Sequence, residues 1–290
     1  MSYIGRFAPT PSGPLHFGSL VAALASYLDA RANKGLWLVR IEDLDPPRTV
    51  PGSIDSILSC LDTFGLHWDG EPMFQSHRQE AYQEALEQLL QQGLIYTCSC
   101  SRAQFQTDPL YICRCLTNPP SAQSLARRIA LPYQSITVDD IIIGPQTQNL
   151  ADDVGDFVVQ RKDQLFSYQL AVVVDDAEQS ISHIIRGSDL YDQTPRQVWL
   201  QTCLNYALPV YGHLSIITNN QGQKLSKQNL AQPLDIAQAP ALLSEALERL
   251  GQATPCTLRQ APVAEQLSWA VEQWDINKVP KRMQDPVAFV

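Results

Sequence analysis

Apolar positions cluster at residues 3–7 and stop at Ala8-Pro9-Thr10-Pro11-Ser12-Gly13-Pro14, the pattern of a short strand entering a rigid polar loop. The period then changes. Apolar side chains recur at 20, 21, 24, 25 and 28, and Gly35 follows, which predicts a helix over 19–34 with Ser19 as N-cap and Gly35 as C-cap. Residues 36–41 form a second apolar run and a second strand. Strand, loop, helix and strand in this order make a βαβ unit, whose strands run parallel because the crossover returns the chain to the same end. Helices are predicted over 54–64 and over 79–92, the latter closed by Gly93.

The pattern loses its regularity over 94–150, where cysteines, prolines and short apolar runs such as Ile141-Ile142-Ile143 mix. It resumes with predicted strands at 157–160, 170–174 and 182–185 and a helix over 195–206. Residues 212–218 lead into the turn Asn219-Asn220-Gln221-Gly222, and helices are predicted over 239–250 and 263–273. The expectation is an α/β protein. Its parallel sheet is built from residues 1–93 and 151–232, split by an inserted subdomain at 94–150 and followed by a short helical region at 233–290.

Composition narrows the function classes. With 290 residues, 44 % apolar and 18 % charged, the chain can bury a large core. No apolar stretch reaches the roughly 18 residues of a membrane span, and the N-terminus lacks a basic, then apolar leader, so a cytoplasmic setting without membrane partners is expected. The net charge of −9 disfavours nucleic acid unless a local basic face exists, with Arg127-Arg128, Lys278 and Lys281-Arg282 as candidates or as ordinary solvated charge. Of the seven cysteines, Cys98, Cys100, Cys113 and Cys115 fall together, which suggests a metal rather than disulfides. Cys60, Cys203 and Cys256 read as small buried hydrophobes, and His67, His77, His183 and His213 as structural histidines without a role.

Two segments carry chemistry. The loop from Pro9 to Ser19 lies between a strand and a helix N-terminus, where N–H groups and the helix dipole favour phosphate. His16 can donate a hydrogen bond to a polyphosphate there, and Gly18 lets a flat base approach the backbone. Lys224-Leu225-Ser226-Lys227-Gln228 places two lysines on a loop suited to charge that develops on a transferred phosphoryl group. The two would meet at the carboxyl ends of the strands, where open α/β sheets bind ligands.

His16-Phe17-Gly18-Ser19 resembles the His-Ile-Gly-His motif of class I aminoacyl-tRNA synthetases, with Ser in the fourth place, and Lys224-Leu225-Ser226-Lys227-Gln228 resembles their Lys-Met-Ser-Lys-Ser motif. Arg6-Phe7-Ala8-Pro9-Thr10-Pro11-Ser12-Gly13, Arg40-Ile41-Glu42-Asp43-Leu44-Asp45 and Ile185-Arg186-Gly187-Ser188-Asp189 are similar to the glutamyl-tRNA synthetase subfamily. The resemblance implies a class I, Rossmann-type catalytic sheet that uses ATP with Mg²⁺ to make an adenylate of L-glutamate. It implies Pro9, His16, Gly18, Ser19, Leu225, Ser226 and Lys227 around ATP, with His16, Lys224 and Lys227 catalytic. It implies Arg6, Ala8, Thr10, Glu42, Tyr168 and Arg186 around glutamate. The chemistry agrees: two carboxylates and an ammonium call for two guanidinium groups and one carboxylate.

Spacing alone allows Cys98, Cys100, Cys113 and Cys115 to bind a tetrahedral zinc as four thiolates. The resemblance to a short glutamyl-synthetase paralogue that modifies tRNA implies instead Cys98, Cys100, Tyr111 and Cys115 as ligands of a structural zinc, with Cys113 a competitor for the place of Tyr111. Only 63 residues follow Lys227, too few for an anticodon-reading module. Length, cysteine pattern and lysine loop resemble the glutamyl-queuosine tRNA(Asp) synthetase family. The resemblance implies a monomer acting on the anticodon stem-loop of tRNA(Asp) carrying queuosine. A truncated synthetase charging a tRNA 3′ end and a non-catalytic RNA or metabolite sensor are the alternatives.

Overall fold

The computed structural model describes residues 2–100, 114–118, 120–121, 124–218 and 233–286. β1 (Ile4–Phe7), α1 (Phe17–Ala32) and β2 (Leu36–Ile41) form the expected βαβ unit, extended by α2 (Ser53–Thr63) and β3 (Met73–Phe74). α3 (Gln79–Gln91) leads outward to β4 (Ile95–Cys98), β5 (Ala126–Ile129), the hairpin β6 (Ser135–Val138) and β7 (Gln146–Asn149), and β8 (Phe157–Gln160). The chain returns through α4 (Tyr168–Glu178), β9 (His183–Gly187), α5 (Thr194–Cys203), β10 (Val210–Leu214) and β11 (Ile216–Thr218). α6 (Ala239–Arg249), α7 (Val263–Gln273) and β12 (Gln284–Pro286) complete the described residues.

β1, β2 and β3 pair in parallel, as do β9 and β10. The two halves meet at β1 and β9, where Ser182 N donates to Ile4 O at 2.9 Å and Ile4 N to Ser182 Oγ at 2.8 Å. Strand order thus reverses direction of growth beside β1, which opens a crevice at the carboxyl ends of the strands. β8 does not join this sheet. It pairs antiparallel with β5, which in turn pairs with β4, so the inserted layer draws strands from both sides of residue 150.

Three local expectations about helices are corrected. Residues 170–174 are not a strand but the middle of α4, capped by Ser167, whose Oγ accepts from Leu170 N. Leu170 to Val174 are buried on every side, and a helix buried all round has the same apolar run as a buried strand. α1 is capped by His16, not Ser19: His16 Nδ1 accepts from Ser19 N at 3.2 Å. Gly35 is not a left-handed cap either, since Lys34 takes the positive φ of 53°. Gly35 is needed because a Cβ there would lie 2.4 Å from Tyr3 O.

The main core joins α1, the parallel sheet, α2, α6 and α7 around the fully buried Trp37. Each fully buried leucine on α1, such as Leu24 and Leu28, contributes about 1.5–3 kcal/mol of transfer free energy. The C-terminal region is tied to this core by polar contacts as well. Asp29 on α1 accepts from the Tyr3 hydroxyl and from Trp274 Nε1, the latter at 2.8 Å. β12 pairs in parallel with β11, and Ser215 Oγ and Ser188 Oγ donate to Arg282 O and Met283 O at 2.8 and 2.7 Å. Cys60 is buried and Cys203 half-buried, but Cys256 is exposed, contrary to expectation. No described helix is long and apolar enough to cross a membrane.

Candidate active site

The loop after β1 is held by its neighbours as well as by its own turn, in which Ser12 N donates to Thr10 O at 2.8 Å. Glu42 N donates to Pro9 O, Val50 N and Ser53 Oγ to Pro11 O, and Leu234 N to Leu15 O. The loop therefore stands over the carboxyl ends of β1 and β2 and walls a cavity of about 650 Å³. Ala8, Pro9, Thr10, His16, Gly18 and Ser19 line it on one side, and Gly187, Asp189, Ile216 and Ile217 on the other. Because α1 starts at this wall, the positive end of its dipole lies on the site. Gly18 leaves the space that the His16 ring needs: a Cβ there would come within 3.2 Å of His16 Cε1. Since His16 Nδ1 accepts from Ser19 N, the imidazole proton sits on Nε2.

A second cavity, of about 840 Å³, opens between the sheet and the inserted layer. Glu42, Tyr168, Gln75, Arg128, Arg161 and Lys162 line it, and Thr10 and Arg48 border both cavities. Arg48 Nε and Arg161 Nη1 converge on Asp45 Oδ2 at 2.9 and 3.2 Å, and Arg161 Nη2 lies 2.7 Å from Asp163 Oδ2, so the rim sets Arg48, Arg128, Arg161 and Lys162 against Glu42, Asp45 and Asp163 and is cationic only on balance. Of the basic residues singled out in the sequence, Arg128 reaches this cavity, whereas Lys278 lies against Asp275.

Between the cavities lies a buried ionic cluster. Asp176 Oδ1 accepts from Arg6 Nε at 3.3 Å and from Arg40 Nη2 at 2.7 Å. Burial alone would raise the Asp176 carboxyl, but Arg40 and Arg6 together hold it below the usual carboxylate range. Glu42 is 4.0 Å from Arg40. Burial pushes Glu42 up to about 7, against the pull of Arg40 and then Arg6. The Tyr168 hydroxyl is raised by burial first and by Glu42 next, with Arg186 and Arg6 opposing. Arg6, Glu42, Tyr168 and Arg186 thus share one electrostatic neighbourhood, while Ala8 and Thr10 sit on the first cavity wall beside them.

Several participants escaped the sequence reading. Asp176 anchors Arg6 and Arg40, and its neighbour Asp175 accepts from Gln75 Nε2, Tyr82 OH and Arg78 Nε at 2.8, 2.7 and 3.1 Å. An acidic pair directly after the apolar run Ala171-Val172-Val173-Val174 was the available signal, because buried carboxylates need cations or donors. His213, assigned no role, is buried against Asp140 and Arg186.

Cys98 closes β4, and its thiol lies with those of Cys100 and Cys115 within 4.8 Å of one another. Zn–S bonds of about 2.3 Å in a tetrahedron put thiolates roughly 3.8 Å apart. Cys100 Sγ and Cys115 Sγ are 3.6 Å apart, so the donor set and its spacing suit a metal. Tyr111, Cys113 and the segment Lys224-Leu225-Ser226-Lys227 lie outside the described residues.

The profile of tRNA synthetases class I (E and Q), catalytic domain, matches residues 4–108 and 119–254. A glutamyl-Q tRNA(Asp) synthetase of Pseudomonas fluorescens is 49 % identical over 99 % of this chain and 97 % of its own length. One from Neisseria meningitidis serogroup A is also 49 % identical, over 96 % of this chain and 98 % of its own. Among solved structures, a glutamate tRNA ligase from Elizabethkingia meningosepticum in complex with its amino acid superposes with a TM-score of 0.81 at 27 % identity, covering 98 % of this chain and 67 % of that one. The glutamate-tRNA synthetase of Elizabethkingia anophelis gives 0.83 at 25 % identity, covering 99 % and 68 %. With the cavity pair, the cationic cluster and near full-length likeness all in agreement, the chain belongs to the class I glutamyl and glutaminyl tRNA synthetase family, within its glutamyl-Q tRNA(Asp) synthetase branch.

Proposed function

We propose that the chain activates L-glutamate with ATP and transfers the glutamyl group to the queuosine base at the wobble position of tRNA(Asp). The observation that carries this reading is the pair of cavities meeting at Thr10 and Arg48, one at a helix N-terminus and one with a cationic rim. The first takes ATP with its Mg²⁺ along Pro9, His16, Gly18 and Ser19. Leu225, Ser226 and Lys227 cover the nucleotide, and Lys224 and Lys227 neutralise phosphate charge. Arg6 and Arg186 take the carboxylates of glutamate, Glu42 its ammonium, and Tyr168, Ala8 and Thr10 complete the pocket.

The α-carboxylate attacks the α-phosphorus, the bond to the β-phosphate oxygen breaks, and pyrophosphate leaves. The protein's part is to align two anions and offset their charge. A hydroxyl of queuosine then attacks the activated carbonyl and AMP leaves. The second cavity, with Arg128, Arg161 and Lys162, suits a nucleotide acceptor even though the whole chain is acidic. Pyrophosphate exchange into ATP should require glutamate but no tRNA, and labelled glutamate should pass to tRNA(Asp) only when it carries queuosine. Equal labelling of tRNA lacking queuosine would favour 3′-end charging, and absence of exchange would leave a binding protein.

The pH dependence follows from Glu42. The substrate ammonium pairs with the ionised carboxylate, and Glu42 ionises as pH rises through about 7. Glutamate affinity should therefore increase up to that pH and level off above it. The KM for glutamate is expected about tenfold higher at pH 6 than at pH 8, with the KM for ATP flat. A flat glutamate profile would remove Glu42 from the ammonium site.

Cys98, Cys100 and Cys115 would hold zinc together with Tyr111, Cys113 being the competing fourth ligand. Four protein ligands leave no open position, so the metal supplies only a structural tie at the end of β4. Cys98→Ser is expected to lose the bound zinc by elemental analysis and to lower the melting temperature. Full zinc occupancy in the variant would exclude Cys98 as a ligand.

A further inference from the structure

Asp140, His213 and Arg186 form a buried chain of which the scheme above uses only the last member. Asp140 lies in the turn after β6. Its Oδ1 accepts from Ile142 N, Ile143 N and His213 N at 2.9, 2.8 and 3.2 Å. Its Oδ2 is 2.6 Å from His213 Nδ1, and neither side chain is exposed. An ionised carboxylate only accepts, so His213 Nδ1 carries the proton and Nε2 keeps its lone pair. Arg186 Nε, which only donates, sits 3.0 Å from that Nε2.

The rest of the guanidinium is held too. Arg186 Nη2 donates to Thr194 Oγ1 at 2.9 Å, and that hydroxyl donates to Leu190 O at 3.2 Å. Arg186 Nη1 is buried and has no hydrogen-bond partner among the described residues. Burial lowers His213 to about 4 despite Asp140, so the imidazole stays neutral and its lone pair persists at working pH. The turn itself is clamped on β10: a Cβ at Gly212 would come within 3.1 Å of the Ile141 and Ile142 side chains.

We infer that Asp140 and His213 are positioning residues: they lock the imidazole tautomer that orients Arg186 and so leave Nη1 to bind a substrate carboxylate. The inference rests on Arg186 being a glutamate ligand. It places part of amino-acid recognition in the turn after β6, none of whose residues lines either cavity.

The test is steady-state pyrophosphate exchange with the full chain. In Asp140→Asn the amide oxygen keeps the three backbone bonds, while Nδ2 now donates to His213 Nδ1. The imidazole proton moves to Nε2 and faces Arg186 Nε, donor against donor. The KM for glutamate is expected to rise about ten- to a hundredfold, with the KM for ATP within about twofold. His213→Leu, which lacks an acceptor, should behave alike. His213→Gln, which restores one, should stay within about threefold of the parent. These two variants carry the test if Asp140→Asn does not fold. A matched rise of both KM values with a fall in kcat would indicate general packing and overturn the inference. An unchanged glutamate KM in Asp140→Asn would also overturn it, provided Arg186→Gln raises that KM. If Arg186→Gln has no effect either, the assignment of Arg186 to glutamate fails and takes the inference with it.

Discussion

Replacing His16 with asparagine is expected to slow glutamate-dependent pyrophosphate exchange by about 10²–10³, the usual loss when one donor to developing charge is removed. His16 has two separable jobs. Its Nδ1 accepts from Ser19 N and caps α1, and its Nε2–H belongs to the ring that lines the first cavity, to which ATP is assigned above. Asparagine reproduces the cap, because its carbonyl oxygen accepts at the Nδ1 position, but it has nothing at Nε2. His16→Ala removes both and should add a stability loss of about 1 kcal/mol to the same kinetic defect. Exchange rates together with urea midpoints separate the two effects. A His16→Asn enzyme of parental rate would take His16 out of the phosphate chemistry.

The largest loss of stability is expected from Asp176→Ala. Arg6 and Arg40 are buried, and Asp176 Oδ1 is the acceptor they share. Removing one partner of a buried pair leaves an uncompensated charge and costs about 3–5 kcal/mol. That is a large part of a typical domain's stability, and the urea midpoint should fall accordingly. Asp176→Asn is the milder companion. It keeps an acceptor but loses the charge, and the Asp176 charge is one of the groups that raise Glu42. The midpoint of the pH dependence of the glutamate KM should therefore move to lower pH in Asp176→Asn. An unaltered urea midpoint in the alanine variant would mean that Glu42 or solvent replaces Asp176 as counter-charge.

That Arg6, Glu42, Tyr168 and Arg186 lie together was legible because each stands in a short string next to a strand or helix end, and one sheet edge gathers such ends. Their supports were not. Asp176 lies 170 positions from Arg6 and 136 from Arg40, and Asp140 lies 73 from His213. Pairings at such separations leave no local periodicity to read. The same limit explains 170–174: what distinguishes α4 from a strand is that α3 and α5 pack on it, which no window of apolar residues records. Gly35 was noticed for a valid reason, a break after a helix, but its cause is the nearby Tyr3 carbonyl just before β1.

β11 brings Ile216 and Ile217 to the wall of the first cavity, yet its ladder partner among the described residues is β12. On the ribosome β12 emerges after every other described strand, so the cavity to which ATP is assigned above is completed only after β1, β2 and β9 are out. A protease that trims the tail before Met283 would remove the carbonyl to which Ile216 N donates at 2.9 Å and Ser188 Oγ at 2.7 Å, and so unfasten this wall together with the end of β9.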